Sequence, residues 1–274
     1  MKLLTYNIHY WEGTDGVTDV ERTLAVIQAS GADIVGLNEV YHPAKLKGLE
    51  LPALEHMATR LGMHFIYGQA HTFTFAFNRP GRSFGNALLS RWPILASAAH
   101  HLTPVSGHEQ RGMLEGRILL PNGQRTLTVY VAHLDHADEA VRLTQAQAML
   151  TWTGRDRNRA HVLMGDFNTY NPDDYATPER QAALRQTVEG VGLEVYEAKV
   201  LPRLLKAGYV DAWTLAGEGP APTCCNEPDP LFRIDYVLVS QPLATSVRSC
   251  RRWDAASAAV ASDHLPVLVE LEDG

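Results

Sequence analysis

Side chains that can bind a metal ion or move a proton stand next to a series of short apolar runs in this chain. Each lies where such a run begins or ends, which is where a loop leaves a buried sheet and where binding residues are often found. These side chains belong to Asn7, Glu39, His133, Asp166, Asn168, Asp235, Asp263 and His264. Carboxylate and amide oxygens suit a hard divalent cation, and imidazoles beside them suit the proton transfers of phosphoester chemistry. The pattern therefore predicts a metal-dependent site that acts on a phosphoester.

The elements that must carry these residues start with a strand, a helix and a second strand. Residues 2–8 and 33–37 predict strands, and Thr18 with Glu21 predicts a capping box at the start of the helix between them. Further strands are predicted at 64–67, 86–90, 94–102, 113–120, 126–133, 161–164, 234–239 and 267–271, and helices at 54–61 and 137–153.

The connections between these elements indicate the fold class. Pro121-Asn122-Gly123 separates two predicted strands, and Asn-Gly is a strong signal for an antiparallel hairpin. Strands and helices intermix, and neither a Ser/Gly-rich linker nor an internal repeat divides the chain. The Pro-rich stretch 217–230 is interpreted as a long surface loop. We expect one domain over residues 1–274, with two packed sheets and outer helices rather than one wholly parallel sheet.

Composition excludes several classes of protein. The chain has 274 residues, of which 45% are hydrophobic and 20% charged, so it can bury a substantial core. Its 24 basic and 31 acidic residues give a net charge of −7, which argues against a broad positive surface for long nucleic acid. A nuclease is not excluded, because the carboxylates of a metal site contribute to that charge. Five of them, Glu39, Asp166, Asp211, Asp235 and Asp263, would account for most of it.

Cysteine usage and hydropathy suggest a location. Cys224, Cys225 and Cys250 are an odd set without metal-type spacing, so thiols in a reducing compartment are the simpler interpretation. The sequence shows neither a signal-peptide core nor an apolar run near the roughly 18 residues of a membrane span. We expect a soluble cytoplasmic protein without an obligate protein partner, although a chain trimmed of its signal peptide would look the same.

Seven short motifs resemble those of one enzyme superfamily. They are Thr5-Tyr6-Asn7, Asn38-Glu39, Gly85-Asn86-Ala87-Leu88-Leu89-Ser90, His133-Leu134-Asp135-His136, Gly165-Asp166-Phe167-Asn168, Ile234-Asp235-Tyr236 and Ser262-Asp263-His264-Leu265-Pro266. Their order is similar to that in the endonuclease/exonuclease/phosphatase superfamily, which includes pancreatic-type deoxyribonucleases, abasic-site endonucleases, neutral sphingomyelinases and inositol polyphosphate 5-phosphatases. Each motif alone is weak, but the ordered set covers residues 7–266.

The resemblance implies a fold and a metal site. The fold would be a four-layer α/β sandwich of two mixed β-sheets with helices on the outside, and the active site would lie at one edge of the sheets. Glu39 resembles the main metal ligand, with Asn7 and Asp263 nearby. Mg²⁺ or Mn²⁺ is the expected cofactor, and the same oxygen ligands also accept Ca²⁺.

The resemblance also assigns roles in catalysis. Asp166 resembles the residue that orients or deprotonates the attacking water, and Asn168 the amide that contacts the phosphate. His264 resembles the catalytic histidine, held by the Asp235 carboxylate, and His133 a second histidine near the scissile phosphate. A protonated imidazole and a divalent ion can each stabilise the charge that grows on the phosphoryl oxygens.

The residues that would contact the rest of the substrate are less sharply marked. Arg111 could bind a substrate phosphate through two guanidinium hydrogen bonds, or it could be a solvated surface arginine. Asn86 could contact substrate or be a strand-edge amide. Asp211 is interpreted as a structural hydrogen-bonding residue, and Asp135 and His136 as residues that shape a loop.

Loops, arginines and aromatic residues could also contact the substrate. Loops at 41–52, 73–84 and 217–230 are expected to choose it. Residues considered for a nucleic-acid duplex or for stacking on a base are Arg79, Arg82, Arg91, Trp11, Phe73, Phe75, Phe77 and Trp92.

The predicted function is hydrolysis of a phosphoester, by preference a phosphodiester. Two substrate hypotheses follow from it. One is a nucleic-acid phosphodiester, DNA or RNA, and the other is a small phosphoester such as a lipid head group or sugar phosphate. The alternative is a catalytically silent protein that uses the fold as a binding module. Every main catalytic position is filled, which favours the enzyme.

Overall fold

The predicted apolar runs form the strands of two β-sheets that pack face to face. The computed structural model describes residues 1–72, 83–121, 123–190, 195–219, 221–224, 232–255 and 257–272. Within them the strands are β1 Lys2–Asn7, β2 Ile34–His42, β3 His64–Thr72, β4 Ser83–Ser90, β5 Ile94–His101, β6 Gly112–Leu119, β7 Thr126–His133, β8 His161–Asp166, β9 Tyr209–Asp211, β10 Gly217–Glu218, β11 Asp235–Ser240, β12 Val247–Arg252 and β13 Val267–Leu271. The helices are α1 Val20–Ser30, α2 Ala53–Leu61, α3 Glu139–Thr153, α4 Pro178–Gly190, α5 Val200–Lys206, α6 Ala212–Ala216, α7 Gln241–Ala244 and α8 Ala258–Ala261.

Both sheets contain parallel and antiparallel pairs. The first sheet has the order β10-β12-β13-β1-β2-β4-β3, and β1 is parallel to β2 but antiparallel to β13. The second has the order β5-β6-β7-β8-β11-β9, and β8 is parallel to β7 but antiparallel to β11. The predicted hairpin joins β6 to β7, which pair from Gly112 with His133 to Leu119 with Thr126. The expectation of two mixed sheets is confirmed.

Three large apolar clusters define the layers. The cluster between the sheets is formed by inward side chains such as Leu3, Val131 and Met164. A second cluster packs α1 and α2 on the outer face of the first sheet, and a third packs α3 and α5 on the outer face of the second. Both sheets are therefore covered on both faces, which explains why β1 and β8 are almost wholly buried instead of alternating. The helix-sheet-sheet-helix order confirms the four-layer sandwich.

Two local predictions need correction. The first helix is capped by Asp19, whose carboxylate accepts from the Glu21 N–H, and not by Thr18. Thr18 is still extended, because its backbone pairs with Glu12. The second correction concerns the cysteines, since Cys224 is disulfide-bonded while Cys250 is a buried thiol. An odd count without metal spacing argues against a scaffold of several bridges, but it does not exclude one local disulfide.

The stretch interpreted as a long loop is only partly irregular. It begins with β10, which pairs with β12, while residues 220 and 225–230 lie outside the described part of the chain. Among the described residues, no helix combines the length and apolarity that crossing a bilayer requires.

Candidate active site

The ends of several strands meet at one edge of the two sheets. In the first sheet Asn7, the last residue of β1, stands beside Asn38 of β2. In the second sheet Asp166, the last residue of β8, lies between His133 of β7 and Asp235 of β11. The packing of the two sheets brings these ends together, and the Asn7 amide nitrogen donates to Asp166 Oδ2 at 3.0 Å. The strand ends that carry the predicted residues therefore lie together at one edge of the sheets.

Unusual backbone conformations aim side chains into this site. The register of β2 against β4 shifts between Leu37 and Val40, and within this bulge Glu39 has a φ of 58°. Gly165 has a φ of 140°, and a Cβ there would collide with the Ala132 carbonyl oxygen of β7. Bulges re-aim side chains, and glycine alone tolerates such a close approach of two backbones. The local structure therefore explains the glycine before Asp166 and the direction of Glu39.

Asn7 holds two carboxylates at the centre of the site. Its amide nitrogen donates to Glu39 Oε1 at 3.2 Å as well as to Asp166, and its Oδ1 accepts from the His9 N–H at 3.1 Å. Asn7 is 1% exposed. The residue predicted to lie near the metal thus presents its nitrogen to the site, while its oxygen is bonded to the backbone.

Asp166 is buried among donors and charges. Its own N–H donates to Asn38 Oδ1 at 2.9 Å, and its Oδ1 accepts from the Asn168 N–H at 2.8 Å. Its Oδ2 lies 3.6 Å from His133 Nε2 and 3.7 Å from His264 Nε2. Burial raises the pKa of Asp166, an effect that the His264 charge opposes. A carboxylate with a raised pKa is a stronger base than one on the surface.

His264 forms a short hydrogen bond with a carboxylate. Its Nδ1 lies 2.8 Å from Asp235 Oδ2, and both side chains are buried. Burial alone would lower the pKa of His264, but the Asp235 and Asp166 carboxylates outweigh it and hold that pKa well above its ordinary value. The imidazole is therefore charged at neutral pH, and its Nε2 faces Asp166.

His133 has the opposite protonation state. Burial lowers its pKa well below the ordinary value, and the adjacent Arg111 guanidinium lowers it further. Arg111 Nη1 lies 3.1 Å from His133 Nδ1, and the Asn168 amide nitrogen lies 3.1 Å from His133 Nε2. The site therefore contains one charged and one neutral imidazole.

Arg111 is a buried residue of the cleft and not a solvated surface arginine. It is 3% exposed, and its Nη2 lies 3.0 Å from His136 Nδ1 and 3.2 Å from a Glu109 carboxylate oxygen. Its Nε is buried without a hydrogen-bond partner among the described residues. Of the two interpretations of Arg111, the solvated surface arginine is wrong, and the substrate contact stays a prediction.

A cleft of about 580 Å³ opens above these groups. Its described lining consists of His9, Tyr10, Glu12, Glu39, Tyr41, Phe84, Glu109, Arg111, His136, Asp166, Asn168, Cys224, Asp263 and His264. One wall is aromatic, since the rings of Tyr10 and Tyr41 stack with centroids 4.6 Å apart. Burial and the Glu39 carboxylate raise the pKa of Tyr10, so its hydroxyl stays protonated beside the metal-binding candidate.

Comparison with known proteins decides the family. The sequence model of the Endonuclease/Exonuclease/phosphatase family matches residues 4–264. The chain belongs to this family. No curated protein matches the chain. A solved family member from Beutenbergia cavernae is 25% identical, with a TM-score of 0.71 over 100% of this chain and 72% of its own.

Two other solved structures share the fold at lower identity. The mannosyl-6-phosphatase of Bacteroides thetaiotaomicron is 19% identical with a TM-score of 0.67, and the match covers 100% of both chains. The 3′ phosphatase NExo from Neisseria, solved with a product DNA hairpin, is 18% identical with a TM-score of 0.64, again over 100% of both chains. The fold is thus shared by a protein named as a sugar phosphatase and by a 3′ phosphatase solved with DNA.

Family members generally use divalent metals, and the residues of this site fit such an ion. Glu39 Oε2 is buried without a hydrogen-bond partner among the described residues, although it lies in an acidic cleft. Asp263 lines the same cleft with a 38% exposed side chain. Ligand atoms of Asp166, Asp235 and His264 also lie within 4.8 Å of one another. Because Asp235 and His264 are hydrogen-bonded to each other, the free oxygen of Glu39 is the better ligand.

Other predicted candidates of this family member lie away from the cleft. Asn86 is 2% exposed, and its amide is bonded to Asn38 and to the carbonyls of Gly112 and Val131. Both atoms of the amide are used in this bridge between the two sheets, which agrees with a structural role and not with the predicted substrate contact. Asp211 forms an ion pair with Arg233 at 2.7 Å, which agrees with a structural role.

The arginines and aromatic residues considered for nucleic acid have other roles or lie outside the described part. Arg91 pairs with Asp33 at the start of β2, the end of the sheet opposite Asn7. Trp11 is 1% exposed in the outer core, and Trp92 packs against the cluster between the sheets. Residues outside the described ranges are Arg79, Arg82, Phe73, Phe75 and Phe77.

Sequence reasoning did not single out several residues of the cleft. Tyr10, Tyr41 and Phe84 form its aromatic wall, and Glu109 with His136 flanks Arg111. Of these, Tyr41 and Phe84 fall at the ends of the segments 41–52 and 73–84 that were expected to choose the substrate. Tyr10 and Tyr41 each lie within three residues of a predicted site residue, which was a usable signal. His136 had been assigned only to shaping a loop, because nothing in its local sequence shows that it meets Arg111.

Proposed function

We propose that this family member is a divalent-metal-dependent phosphoester hydrolase in which Asp166 activates the attacking water. The observation that carries the proposal is the environment of Asp166. Its carboxylate is 1% exposed, is held by the Asn7 amide at 3.0 Å and has a pKa raised by burial. The carboxylate lines the cleft, and its Oδ2 lies 3.6 Å from His133 Nε2 and 3.7 Å from His264 Nε2.

His264 acts on the phosphate, and Asp235 holds it in place. Asp166 Oδ2 accepts a proton from the water that attacks phosphorus. His264, charged and held through Nδ1 by Asp235, turns Nε2 toward the reacting phosphate and stabilises the negative charge that grows on it. Positioned acid and base groups of this kind contribute about 10²–10⁴ in rate. The neutral His133 lies beside the same phosphate.

Glu39 and Asp263 would hold the metal ion, Mg²⁺ or Mn²⁺ by preference. When bound, the ion would neutralise charge on the phosphoryl oxygens and lower the barrier to attack. Asn7 keeps the Glu39 and Asp166 carboxylates next to each other. Ca²⁺ is accepted by the same kind of oxygen ligands.

Arg111 and Asn168 bind the phosphate oxygens that do not react. Arg111 brings a fixed positive charge to the cleft, and its Nε lacks a partner among the described residues. Asn168 turns its amide nitrogen to within 3.1 Å of His133 Nε2. Both side chains are thus held at the point where a phosphate would meet His133.

The described rim of the cleft favours a substrate with a single phosphate. Carboxylates of Glu12, Glu109 and Asp263 line the cleft, and Arg111 is the one arginine among the lining residues that the structure describes. A long polyanion would bring several phosphates close to these carboxylates, whereas nucleic-acid binding depends mainly on neutralising phosphates. A small phosphoester is therefore the first substrate hypothesis, and a DNA or RNA phosphodiester the second. The similar folds of a mannosyl-6-phosphatase and a DNA 3′ phosphatase leave both classes open.

One assay series tests the proposal. Wild type is incubated with p-nitrophenyl phosphate and bis-p-nitrophenyl phosphate in Mg²⁺, Mn²⁺ or Ca²⁺, and then with sugar phosphates, inositol phosphates, sphingomyelin, duplex and abasic DNA, and RNA. We expect hydrolysis that needs a metal and that is lost in Asp166→Asn and His264→Gln but kept in Asp254→Asn, an exposed control whose partner is Arg252. No hydrolysis of any substrate in any metal would favour the catalytically silent binding module. Residence in the cytoplasm, a single domain over residues 1–274 and the lack of an obligate protein partner stay predictions.

A further inference from the structure

Thr223 donates a hydrogen bond to the carboxylate that holds His264. Its Oγ1 lies 2.7 Å from Asp235 Oδ2, the same oxygen that bonds His264 Nδ1 at 2.8 Å. Thr223 is 1% exposed. The other oxygen, Asp235 Oδ1, is buried without a hydrogen-bond partner among the described residues. One carboxylate oxygen therefore receives both hydrogen bonds, and the other receives none.

The threonine also joins the two segments that carry the pair. Its Oγ1 accepts from the Asp235 N–H at 3.3 Å and from the Ile234 N–H at 3.2 Å. Its carbonyl oxygen accepts from the Leu265 N–H at 2.7 Å, and the next residue, Cys224, forms a backbone bridge with His264. The side chain thus fixes the start of β11, while the backbone fixes the segment of His264.

We propose that Thr223 is a positioning residue that sets the rotation of the Asp235 carboxylate and so the orientation of His264. The terminal torsion of an aspartate is broad, so the carboxylate needs a second contact to keep one oxygen facing the imidazole. The Thr223 hydroxyl is the only side-chain donor besides His264 that the described residues offer to Asp235. This inference rests on the proposed function of His264, and Thr223 itself does not touch the substrate.

The threonine hydroxyl also resists rotation of the carboxylate. Hydrogen bonds to carboxylates are stronger than those between neutral groups, so the bond to Oδ2 holds that oxygen in place. With Oδ2 fixed, Nδ1 of His264 keeps its partner and Nε2 keeps its direction toward Asp166.

Kinetics of matched variants test the proposal. Thr223→Val removes the hydroxyl but keeps the shape, Thr223→Ser keeps the hydroxyl, and each is assayed at saturating metal with the substrate that wild type turns over. We expect kcat of Thr223→Val to fall about tenfold to a hundredfold with little change in KM, because the lost bond acts on an ionic group. Thr223→Ser should stay within about threefold of wild type.

A control variant separates this effect from the loss of any buried hydroxyl. Thr23 of α1 is 0% exposed, and its Oγ1 has no hydrogen-bond partner among the described residues. Thr23→Val should leave kcat and KM unchanged. The proposal is overturned if Thr223→Val keeps the wild-type kcat, if its KM rises while kcat stays, or if Thr223→Ser is as impaired as Thr223→Val.

A spectroscopic readout keeps the test independent of the proposed function. In ¹H NMR of labelled protein, the Nδ1 proton of His264 should give a downfield resonance in wild type, and Thr223→Val should shift or broaden it while Thr223→Ser keeps it. If the three proteins show these resonances but wild type hydrolyses no substrate, the proposed function is wrong and the positioning role of Thr223 remains. An unchanged resonance in folded Thr223→Val would overturn the positioning role.

Discussion

Arg233 and Asp235 lie two residues apart at the start of β11, and each is the centre of a buried cluster of charged groups. The two clusters differ in how completely their polar atoms are hydrogen-bonded. In the first, Arg233 binds Asp174 through two bonds of 2.9 Å and Asp211 through one of 2.7 Å, and its guanidinium lies 4.6 Å from the Tyr236 ring centre. In the second, Asp235 holds His264 and faces Asp166. The first cluster joins β11 to β9 and to the turn at 172–175, and the second joins β11 to the cleft.

The clusters differ in what they leave unpaired. The Asp211 carboxylate takes the guanidinium and also caps α6 through the Trp213 N–H, so both of its oxygens are used. At the site, Glu39 Oε2 and Asp235 Oδ1 are buried without partners among the described residues. An unpaired buried polar atom costs about 1–3 kcal/mol, which a stabilising cluster would avoid. The contrast agrees with a stabilising first cluster and with the ligand-binding role that we propose for the second.

The largest expected effect is a loss of activity, from a substitution that changes the second cluster alone. Asp166→Asn should lower kcat by about 10³ or more, because the base that accepts the water proton is lost. Its free energy of unfolding should stay within about 1 kcal/mol of wild type, since a buried charge is replaced by a neutral group of equal size. Kinetics and urea denaturation measure the two quantities. A destabilised variant with wild-type kcat would reverse the assignment of the two clusters.

The next largest effect is a loss of stability, from a substitution that changes the first cluster alone. Arg233→Met should lower the free energy of unfolding by about 3–5 kcal/mol, because two carboxylates lose their buried cation. Urea denaturation monitored by tryptophan fluorescence measures it. Arg248→Met, at an exposed arginine paired with Glu272, is the matched control and should cost less than about 1 kcal/mol. If Arg233→Met were as stable as this control, the buried cluster would not be a stabilising device.

A smaller effect concerns the metal. Glu39→Gln should raise the Mg²⁺ or Mn²⁺ concentration for half-maximal activity at least about tenfold, because one charged ligand becomes neutral. The free energy of unfolding without metal should fall by less than about 1 kcal/mol, since the glutamine oxygen can keep the bond from Asn7 and Oε2 has no partner to lose among the described residues. Metal titrations followed by activity and by heat release measure the metal affinity of wild type and variant, and urea denaturation measures the free energy of unfolding. An unchanged half-maximal concentration would assign the ion to other residues.

The smallest effect is a pH dependence of stability at Asp135. Burial raises the pKa of Asp135, but hydrogen bonds from the Asp138 and Ala137 N–H groups and from His108 outweigh it, and the pKa is lowered. The stabilisation is therefore complete above the unfolded pKa of about 3.9 and is lost as pH falls through the lower folded value.

Asp135→Asn should cost about 1 kcal/mol at pH 7 and less as the pH falls toward 3. Urea denaturation of both proteins at each pH measures the difference. A difference that grows toward low pH would contradict the sign. Asp135 would then resemble the unpaired carboxylates of the site rather than the satisfied ones of the Arg233 cluster.

The main residues of the site could be predicted because their chemistry is tied to local features. Glu39 and Asp166 follow buried strands, and a strand end is where a polar side chain can reach solvent while its backbone stays fixed. Thr223 could not be found in this way. It lies 12 residues before Asp235 in a Pro-rich stretch, and only the folded chain brings its hydroxyl to Oδ2 of that carboxylate.

Asn86 shows the opposite limit of sequence reasoning. A polar residue in a strand near the site is compatible with a ligand contact and with a bridge between sheets. Which of these two roles Asn86 has depends on its hydrogen bonds with Asn38 and with two carbonyl groups of β6 and β7, which are distant in sequence. Both sheets must be in place before the amide has its partners.

The sequence by itself determined the apolar strands, the polar residues at their ends and the family to which their order belongs. Tertiary structure alone decided the opposite pKa shifts of the two site histidines. The Asp235 and Asp166 carboxylates outweigh burial and hold the pKa of His264 well above its ordinary value, whereas burial and the Arg111 guanidinium hold the pKa of His133 well below it. The pKa of a buried imidazole is set by burial and by the charges within a few ångströms, and those charges come from strands that only folding brings together.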